Sequence, residues 1–418
     1  MNRVIVMGGK PLSGEVAVGG SKNAALPLLF AGILTGECCV FSNLPRVSDV
    51  LRTLEILRAL GARIHFSDNR DVHVDYATVR SVMAPAALTG VIRGSTYLLG
   101  AMLARFGEVR FSHAGGCDFG ARPIDQHLLG FEKLGAIVAA GETLTIVAPN
   151  GLRGAKIELA MPSVGASANL LIAACMADGV TEIKNAAAEP HVVALAEFLR
   201  AAGAKIEGIG TDTLRVVGVP RLHGVHHRII PDMIEAGTYL CAGLATGGDV
   251  TVRDVDPAHL GALLDAFLRM GATLDKGKDF VRVACKDQYR AIDVVTAPYP
   301  GFPTDLHPQM TALFAIGGRA TGRGSVCERI FASRFRYVAP LCDMGACITV
   351  QGDSAQITPA PLHAARVTSP DLRGGAALLI AALATNGTSE IQNAVTIGRG
   401  YEHLESKLVS LGAQVRVK

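Results

Sequence analysis

The chain contains no tryptophan, and aromatic side chains of all kinds make up only 5% of it. Charge is scarce as well: 18% of residues are charged, and the net charge of +3 is too small to imply nucleic-acid binding by bulk electrostatics. Any anion-binding site must therefore be local. No window holds 18 uninterrupted apolar residues, so no membrane-spanning helix is expected. The opening stretch MNRVIVMGGKPLSGEV lacks an apolar h-region and a small-residue cleavage site, so no signal peptide is expected. The nine cysteines are odd in number, and their spacing matches neither a zinc site nor a disulfide framework. Reduced thiols in a cytosol fit best, which leaves any one of them available for chemistry. Also missing are a P-loop spacing, a dinucleotide glycine fingerprint, a Ser-His-Asp order and a metal-ligand cluster.

What is present is a globular composition. About half of the 418 residues are apolar, and the length suits two large domains better than one core. The 47 glycines suit close helix–strand packing and tight turns. Six of them mark a repeat in which an amphipathic helix ends at Gly-Ala and a hydrophobic residue follows. The phrase appears as LRALGARI at Gly61, EKLGAIV at Gly135, LRAAGAKI at Gly203, LRMGATL at Gly271, CDMGACI at Gly345 and VSLGAQV at Gly412. Gly61 to Gly271 spans 210 residues, Gly135 to Gly345 spans 210, and Gly203 to Gly412 spans 209. The chain thus reads as three modules, duplicated. Glycine ends a helix in the left-handed conformation without steric cost, and a strand then begins. A second phrase runs strand, Asn or Asp, then helix, as in VTEIKN and TSEIQN, whose alternation predicts strands. Each unit of about 70 residues is therefore an α/β module. The seam is expected near residues 220–232, in the turn-rich RLHGVHHRIIPD, and the opening strand RVIVMGG fits either half.

Several segments carry candidate chemistry. In HAGGCDFGARPIDQH the repeated glycines predict a mobile loop with exposed backbone donors. Cys117 within it reads either as an accessible, tunable thiol near Arg122 or as a structural cysteine on a turn. In GGSKNAALPLL, Ser21 is a candidate N-cap, which places Lys22 at a helix N-terminus, where an anion is favoured; the alternative is a surface lysine. Asp305 in PGFPTDLHPQM reads as an N-cap or turn residue or as a general base. Arg93, Arg334, Arg373 and Arg399 are far apart in sequence; singly each reads as a surface arginine, and converged they would clamp a polyanion. His113, His127, His226 and His227 read as surface or structural histidines rather than ligands.

Taken together, GGSKNAALPLL, GGCDFGARPIDQH, MPSVGAS, EPHVV, PDMIEAGT, GFPTD, SRF, DLRGGAAL and RGYEHLESKL, in this order and spacing, resemble the UDP-N-acetylglucosamine 1-carboxyvinyltransferase family of enolpyruvyl transferases. The resemblance spans nearly the whole chain. It implies two inside-out, barrel-like α/β domains of three modules each, facing across a cleft (the EPSP synthase-like fold). One would span residues 22–229 and the other residues 1–21 with 230–418. It implies addition of a sugar 3-hydroxyl to phosphoenolpyruvate followed by loss of phosphate, in the first committed step of peptidoglycan precursor synthesis. By the same resemblance Cys117 is the general acid and the residue that fosfomycin alkylates, and Asp305 is the base. Lys22 and Arg122 would hold the phosphate, and Arg334, Arg373 and Arg399 the carboxylate, with Lys22 and Arg399 counted among the catalytic groups. Asn23 would orient the reactants. Arg93, the run Arg122, Pro123, Ile124, Asp125 and Gln126, then Ser163, Val164 and Gly165, and finally Asp305 and Ile330 match nucleotide-sugar contacts. The partners implied are the two small-molecule substrates, with no cofactor, metal, nucleic acid or membrane, in the cytoplasm.

The sequence departs from the family pattern at four places. Asp118 follows the cysteine where a small apolar residue is usual, adding negative charge beside the thiol. Gln126 replaces an apolar residue, Met233 replaces an arginine, and Ser21 replaces an alanine. Two alternatives stay open at this point: an enolpyruvyl transferase acting on a uridine nucleotide or on shikimate 3-phosphate, or a non-catalytic paralogue that binds a nucleotide sugar.

Overall fold

The structure is a computed structural model that describes residues 2–68, 71–112, 124–285 and 287–418. Cys117, Asp118, Arg122, Pro123 and His113 lie outside the described residues. The chain divides into two compact units. One holds the described residues of 2–19 and 231–418, and the other those of 20–112 and 124–230.

Within each unit, three apolar helices form the centre. In the first they are Met233–Thr246, His307–Ala315 and Leu372–Ala384; in the second, Lys22–Ala31, Leu98–Phe106 and Val164–Ala174. These helices have no strong polar face. Leu372–Ala384 reads LRGGAALLIAALA and is buried from Leu372 to Leu383, as a helix apolar on nearly every side is when it forms part of a core; Arg373 is its one charged residue. Small residues let the helices approach closely: a Cβ on Gly100 would sit 2.4 Å from the Asn169 carbonyl of the neighbouring helix.

Sheets and amphipathic helices surround these centres. In the unit of residues 20–230, one four-stranded sheet runs His226–Arg228, Cys38–Ser42, Val72–Asp75, Arg63–Phe66. Another runs Lys205–Glu207, Thr213–Val217, Val180–Lys184, Lys156–Glu158. A three-stranded sheet orders Glu108–Phe111, Leu144–Val147, Ile137–Ala139, with a parallel bridge from Met83 to Arg110 at its edge. The other unit has three four-stranded sheets and a short strand pair. In every four-stranded sheet one edge strand is parallel and the remaining pairs are antiparallel. The parallel edge comes from a distant stretch: Ser13–Ala17 lies along Asp249–Arg253. The opening strand, Arg3–Gly8, sits between Gly387–Gln392 and Gln414–Val417, which places it with the C-terminal part of the chain.

Two local devices recur. The six Gly-Ala glycines all have left-handed backbones, with φ of 108°, 90°, 105°, 92°, 96° and 88° from Gly61 to Gly412. The Asn of the second phrase is left-handed too, at Asn43, Asn185 and Asn393 with φ of 55°, 54° and 55°. Each of these amides donates to the carbonyl just past the parallel edge strand: Ile229 at 2.9 Å, Leu159 at 2.8 Å and Ser369 at 2.9 Å. The side chain thereby ties the strand-to-helix turn to its neighbour, and Asn is among the few residues that tolerate this backbone. Among the described residues no helix is long and apolar enough to cross a membrane.

Candidate active site

In the unit of residues 231–418, three sequence candidates meet. Asp305 sits in a turn that Pro303 and Thr304 lead into, immediately before the buried helix His307–Ala315. Its Oδ1 accepts from Arg334 Nη2 at 2.5 Å, and its Oδ2 accepts from Arg373 Nε and Nη2 at 3.2 and 3.0 Å. Both guanidiniums are nearly inaccessible, with side-chain exposures of 2% and 4%, whereas Asp305 is 24% exposed. Arg373 owes its place to Asp371, the N-cap of Leu372–Ala384, whose Oδ1 accepts from the Arg373 and Gly374 amides at 2.9 Å each. Burial opposes the charge on Arg373, but Asp305, Tyr401 and Asp232 outweigh it and hold the group above its ordinary value. Its Nη1 is buried and has no hydrogen-bond partner among the described residues. The guanidinium carbon also lies 5.8 Å from the centre of the Tyr401 ring, a cation–π arrangement. Arg399 ends the short helix Ala394–Arg399, half-buried and two residues before Tyr401.

The second layer of this group was not legible from sequence. Thr304 Oγ1 accepts from Arg334 Nη1 at 2.6 Å and donates to Glu328 Oε2 at 2.7 Å. Glu328 Oε1 accepts from the amides of Ile330 and Phe331 at 2.7 and 2.8 Å. His307 is fully buried beside them; burial first and Arg334 second press its pKa well below the usual value, so the ring is neutral. No periodicity or motif singles out Thr304 or Glu328, because their partners lie 24 to 30 residues away.

In the other unit, the Ser21 hydroxyl accepts from the Ala24 amide at 3.3 Å and caps Lys22–Ala31, as the sequence predicts. Lys22 therefore starts a helix whose amide dipoles favour an anion. It is not a solvated surface lysine: its side chain is 14% exposed and Nζ lies 3.4 Å from Oδ2 of the buried Asp49. Asn23 follows it, half-buried.

A further set in this unit gathers around His127. Arg93 opens the short helix Arg93–Tyr97, and Asp125 and Gln126 open Asp125–Lys133 directly after Ile124. Ser163 caps Val164–Ala174 by accepting from the Ala166 amide. A Cβ built on Gly165 would be 2.8 Å from His127 Nε2, so the imidazole packs on bare backbone at that helix start. Burial, then repulsion from Arg93, lowers the His127 pKa to about 4, with Asp125 pulling the other way. Tyr97 is pushed up to about 12 by burial, which Arg93 partly offsets. The structure thus brings Arg93, Asp125, Gln126 and Gly165 around one buried, neutral imidazole. Gln126 Oε1 is buried with no hydrogen-bond partner among the described residues. Among those residues no group of three or more His, Cys, Asp or Glu is placed to hold a metal ion.

Comparison with known proteins places these features. Residues 6–408 match the family model described as EPSP synthase (3-phosphoshikimate 1-carboxyvinyltransferase). The chain is 43% identical over 416 residues to the UDP-N-acetylglucosamine 1-carboxyvinyltransferase of Halothermothrix orenii, covering 100% of this chain and 99% of that one. It is 44% identical over 419 residues to UDP-N-acetylglucosamine 1-carboxyvinyltransferase 2 of Caldanaerobacter subterraneus subsp. tengcongensis, with 99% of each covered. Among solved structures it resembles the enolpyruvyl transferase NikO from Streptomyces tendae, with a TM-score of 0.89 and 27% identity over 99% of this chain and 98% of that one. EPSP synthase from Acinetobacter baumannii shares the fold at a TM-score of 0.76 and 20% identity, with both chains fully covered. With a family match across nearly all of its length and relatives above 40% identical end to end, the chain belongs to the enolpyruvyl transferase family, among the members named UDP-N-acetylglucosamine 1-carboxyvinyltransferase.

Proposed function

We propose that this chain transfers the enolpyruvyl group of phosphoenolpyruvate to the 3-hydroxyl of UDP-N-acetylglucosamine and releases phosphate. Relatives of that name at 42–44% identity over the full chain support the reaction. The observation that carries the chemistry is the Arg334–Asp305–Arg373 group, a partly exposed carboxylate seated on two buried guanidiniums. Asp305 takes the proton of the attacking hydroxyl. Cys117 delivers a proton to C3 of phosphoenolpyruvate, and the tetrahedral adduct then expels phosphate. Arg334, Arg373 and Arg399 hold the carboxylate, whose planar pair of oxygens suits a guanidinium fork. Lys22 and Arg122 hold the phosphate at a helix N-terminus. Asn23 orients the reactants, and Lys22 and Arg399 steady the charge that develops on them.

Arg93, Arg122, Pro123, Ile124, Asp125, Gln126, Ser163, Val164, Gly165, Asp305 and Ile330 form the nucleotide-sugar site. The domain boundaries belonging to this reading are residues 22–229 and residues 1–21 with 230–418. On the same reading the enzyme works in the cytoplasm at the first committed step of peptidoglycan synthesis, serves cell shape and division, and is inactivated by fosfomycin at Cys117.

The test is release of inorganic phosphate from phosphoenolpyruvate by the purified protein, with UDP-N-acetylglucosamine, UMP or shikimate 3-phosphate as acceptor. Turnover with UDP-N-acetylglucosamine that stops after fosfomycin treatment is expected. Turnover with another acceptor alone would replace the substrate, and a folded protein silent with all three would refute the enzyme.

A further inference from the structure

We infer that Glu328 is a positioning residue for the transfer proposed above: it touches no substrate, and it holds Asp305 and Arg334 in register. The inference rests on that functional reading and on a chain of contacts. Glu328 follows the strand Gly324–Cys327, and its own amide is anchored on the Asp353 carbonyl at 2.7 Å. Its side chain is 1% exposed. One oxygen accepts from Ile330 and Phe331 and so shapes the turn that leads to Arg334. The other accepts from Thr304, the residue before Asp305, and lies 3.4 Å from His307 Nε2. Thr304 in turn accepts from Arg334 Nη1, while Arg334 Nη2 donates to Asp305. A single buried carboxylate therefore fastens both segments that meet at the Asp305–Arg334 pair.

The chemistry of the groups leaves little freedom. The Thr304 hydroxyl has one proton; Arg334 brings only donors, so that proton goes to Glu328. Glu328 thereby dictates that Thr304 turns its lone pairs toward Arg334. A neutral amide at position 328 would present a donor to Thr304 in some orientations, and the hydroxyl would then have no acceptor. The same cluster holds Arg334 from the Glu328 segment, Asp305 and His307 from the segment across, and Tyr337, whose hydroxyl is 3.1 Å from His307 Nδ1.

Steady-state kinetics of Glu328→Gln, Glu328→Asp and Thr304→Val test the inference. Glu328→Gln is expected to lower kcat by about ten- to a hundredfold, the scale of an ångström-sized misplacement, with both KM values little changed. Glu328→Asp keeps the charge but falls short of Thr304, so its kcat falls as well while both KM values hold. Thr304→Val matches the loss in Glu328→Gln, and the double variant loses no more than the worse single one, because the two act as one unit. A Glu328→Gln enzyme with parental kcat overturns the inference, as do additive losses. Crystal structures of parent and Glu328→Gln judge it without turnover. Arg334 contacts to Thr304 and Asp305 stretched beyond about 3.5 Å support it, and unchanged contacts overturn it. A parent silent with every acceptor would sink the functional reading alone, leaving the crystallographic comparison to decide the role of Glu328.

Discussion

Arg373 meets Asp305 through two nitrogens, Nε and Nη2, aimed at the same carboxylate oxygen at 3.2 and 3.0 Å. A lysine cannot reproduce this fork, since its ammonium is a single point on a flexible stem. Arg373→Lys is therefore expected to lose about a hundredfold in kcat/KM for phosphoenolpyruvate while retaining its fold. Phosphate release over a phosphoenolpyruvate titration measures this. A variant as efficient as the parent would show that the geometry at Oδ2 is incidental.

Gly165 faces His127 with no side chain between them. Alanine there would place a Cβ 2.8 Å from Nε2, and the buried ring would have to shift. Because the ring packs on that helix start and feels the Arg93 charge, the effect should fall on the nucleotide sugar. Gly165→Ala is expected to weaken UDP-N-acetylglucosamine binding about tenfold, equivalent to about 1.4 kcal/mol. Titration calorimetry reads this directly, and unchanged affinity would remove Gly165 from the sugar site.

The His127 imidazole also makes a pH prediction. Its folded pKa of about 4 lies below the ordinary 6.5, so the unfolded chain binds the proton more readily between those values. Stability from this group is complete above pH 6.5 and is lost as the pH falls toward about 4. The full loss is on the order of 3 kcal/mol. Thermal unfolding of His127→Gln should thus be less sensitive to pH across that window than the parent. His307, also lowered by burial, continues to contribute in both. Parallel pH curves for the two proteins would contradict the assignment.

Two of the repeat glycines should differ in what they tolerate. Gly271 has φ of 92° and open space around it, so Gly271→Ala should cost only backbone strain, about 1–2 kcal/mol. Gly61 has φ of 108°, and a Cβ there would lie 2.6 Å from the Thr78 carbonyl oxygen, which adds a clash that backbone cannot easily relieve. Gly61→Ala should lower the melting temperature more than Gly271→Ala, and the reverse order would mean that the Thr78 turn yields freely.

The repeat made much of the architecture readable. A glycine that must end a helix left-handed leaves a mark at a fixed place in each module, and the backbone at Gly61, Gly135, Gly203, Gly271, Gly345 and Gly412 carries it. The alternation in VTEIK and the polar cap Ser21 were likewise local signals with local causes. The opening strand was ambiguous because nothing within RVIVMGG says which sheet will receive it. Side-chain partnerships were illegible for the same reason. Asp305 looks like any turn aspartate until Arg334, 29 residues on, and Arg373, 68 residues on, arrive beside it. Lys22 gives no hint of Asp49, nor His127 of Gly165. Only resemblance to a family linked such residues beforehand, and it did so without naming Thr304 or Glu328, whose work is to hold others.

The opening strand has a consequence for the order of events during synthesis. Val4 pairs with Val417, and Ser13–Ala17 waits for Asp249–Arg253. Among the described residues, the unit of residues 20–230 has every one of its strands in hand once Arg228 has left the ribosome. The other unit does not: Ser13–Ala17 has no partner until Arg253 is made, and Arg3–Gly8 none until Gly387–Gln392 and then Gln414–Val417 follow. Such extreme separation slows sheet closure and leaves apolar edges uncovered meanwhile. A nascent chain stalled just after residue 230 has cleared the ribosome should therefore contain one protease-resistant body with a cleavable N-terminal tail, and releasing the stall should protect that tail last.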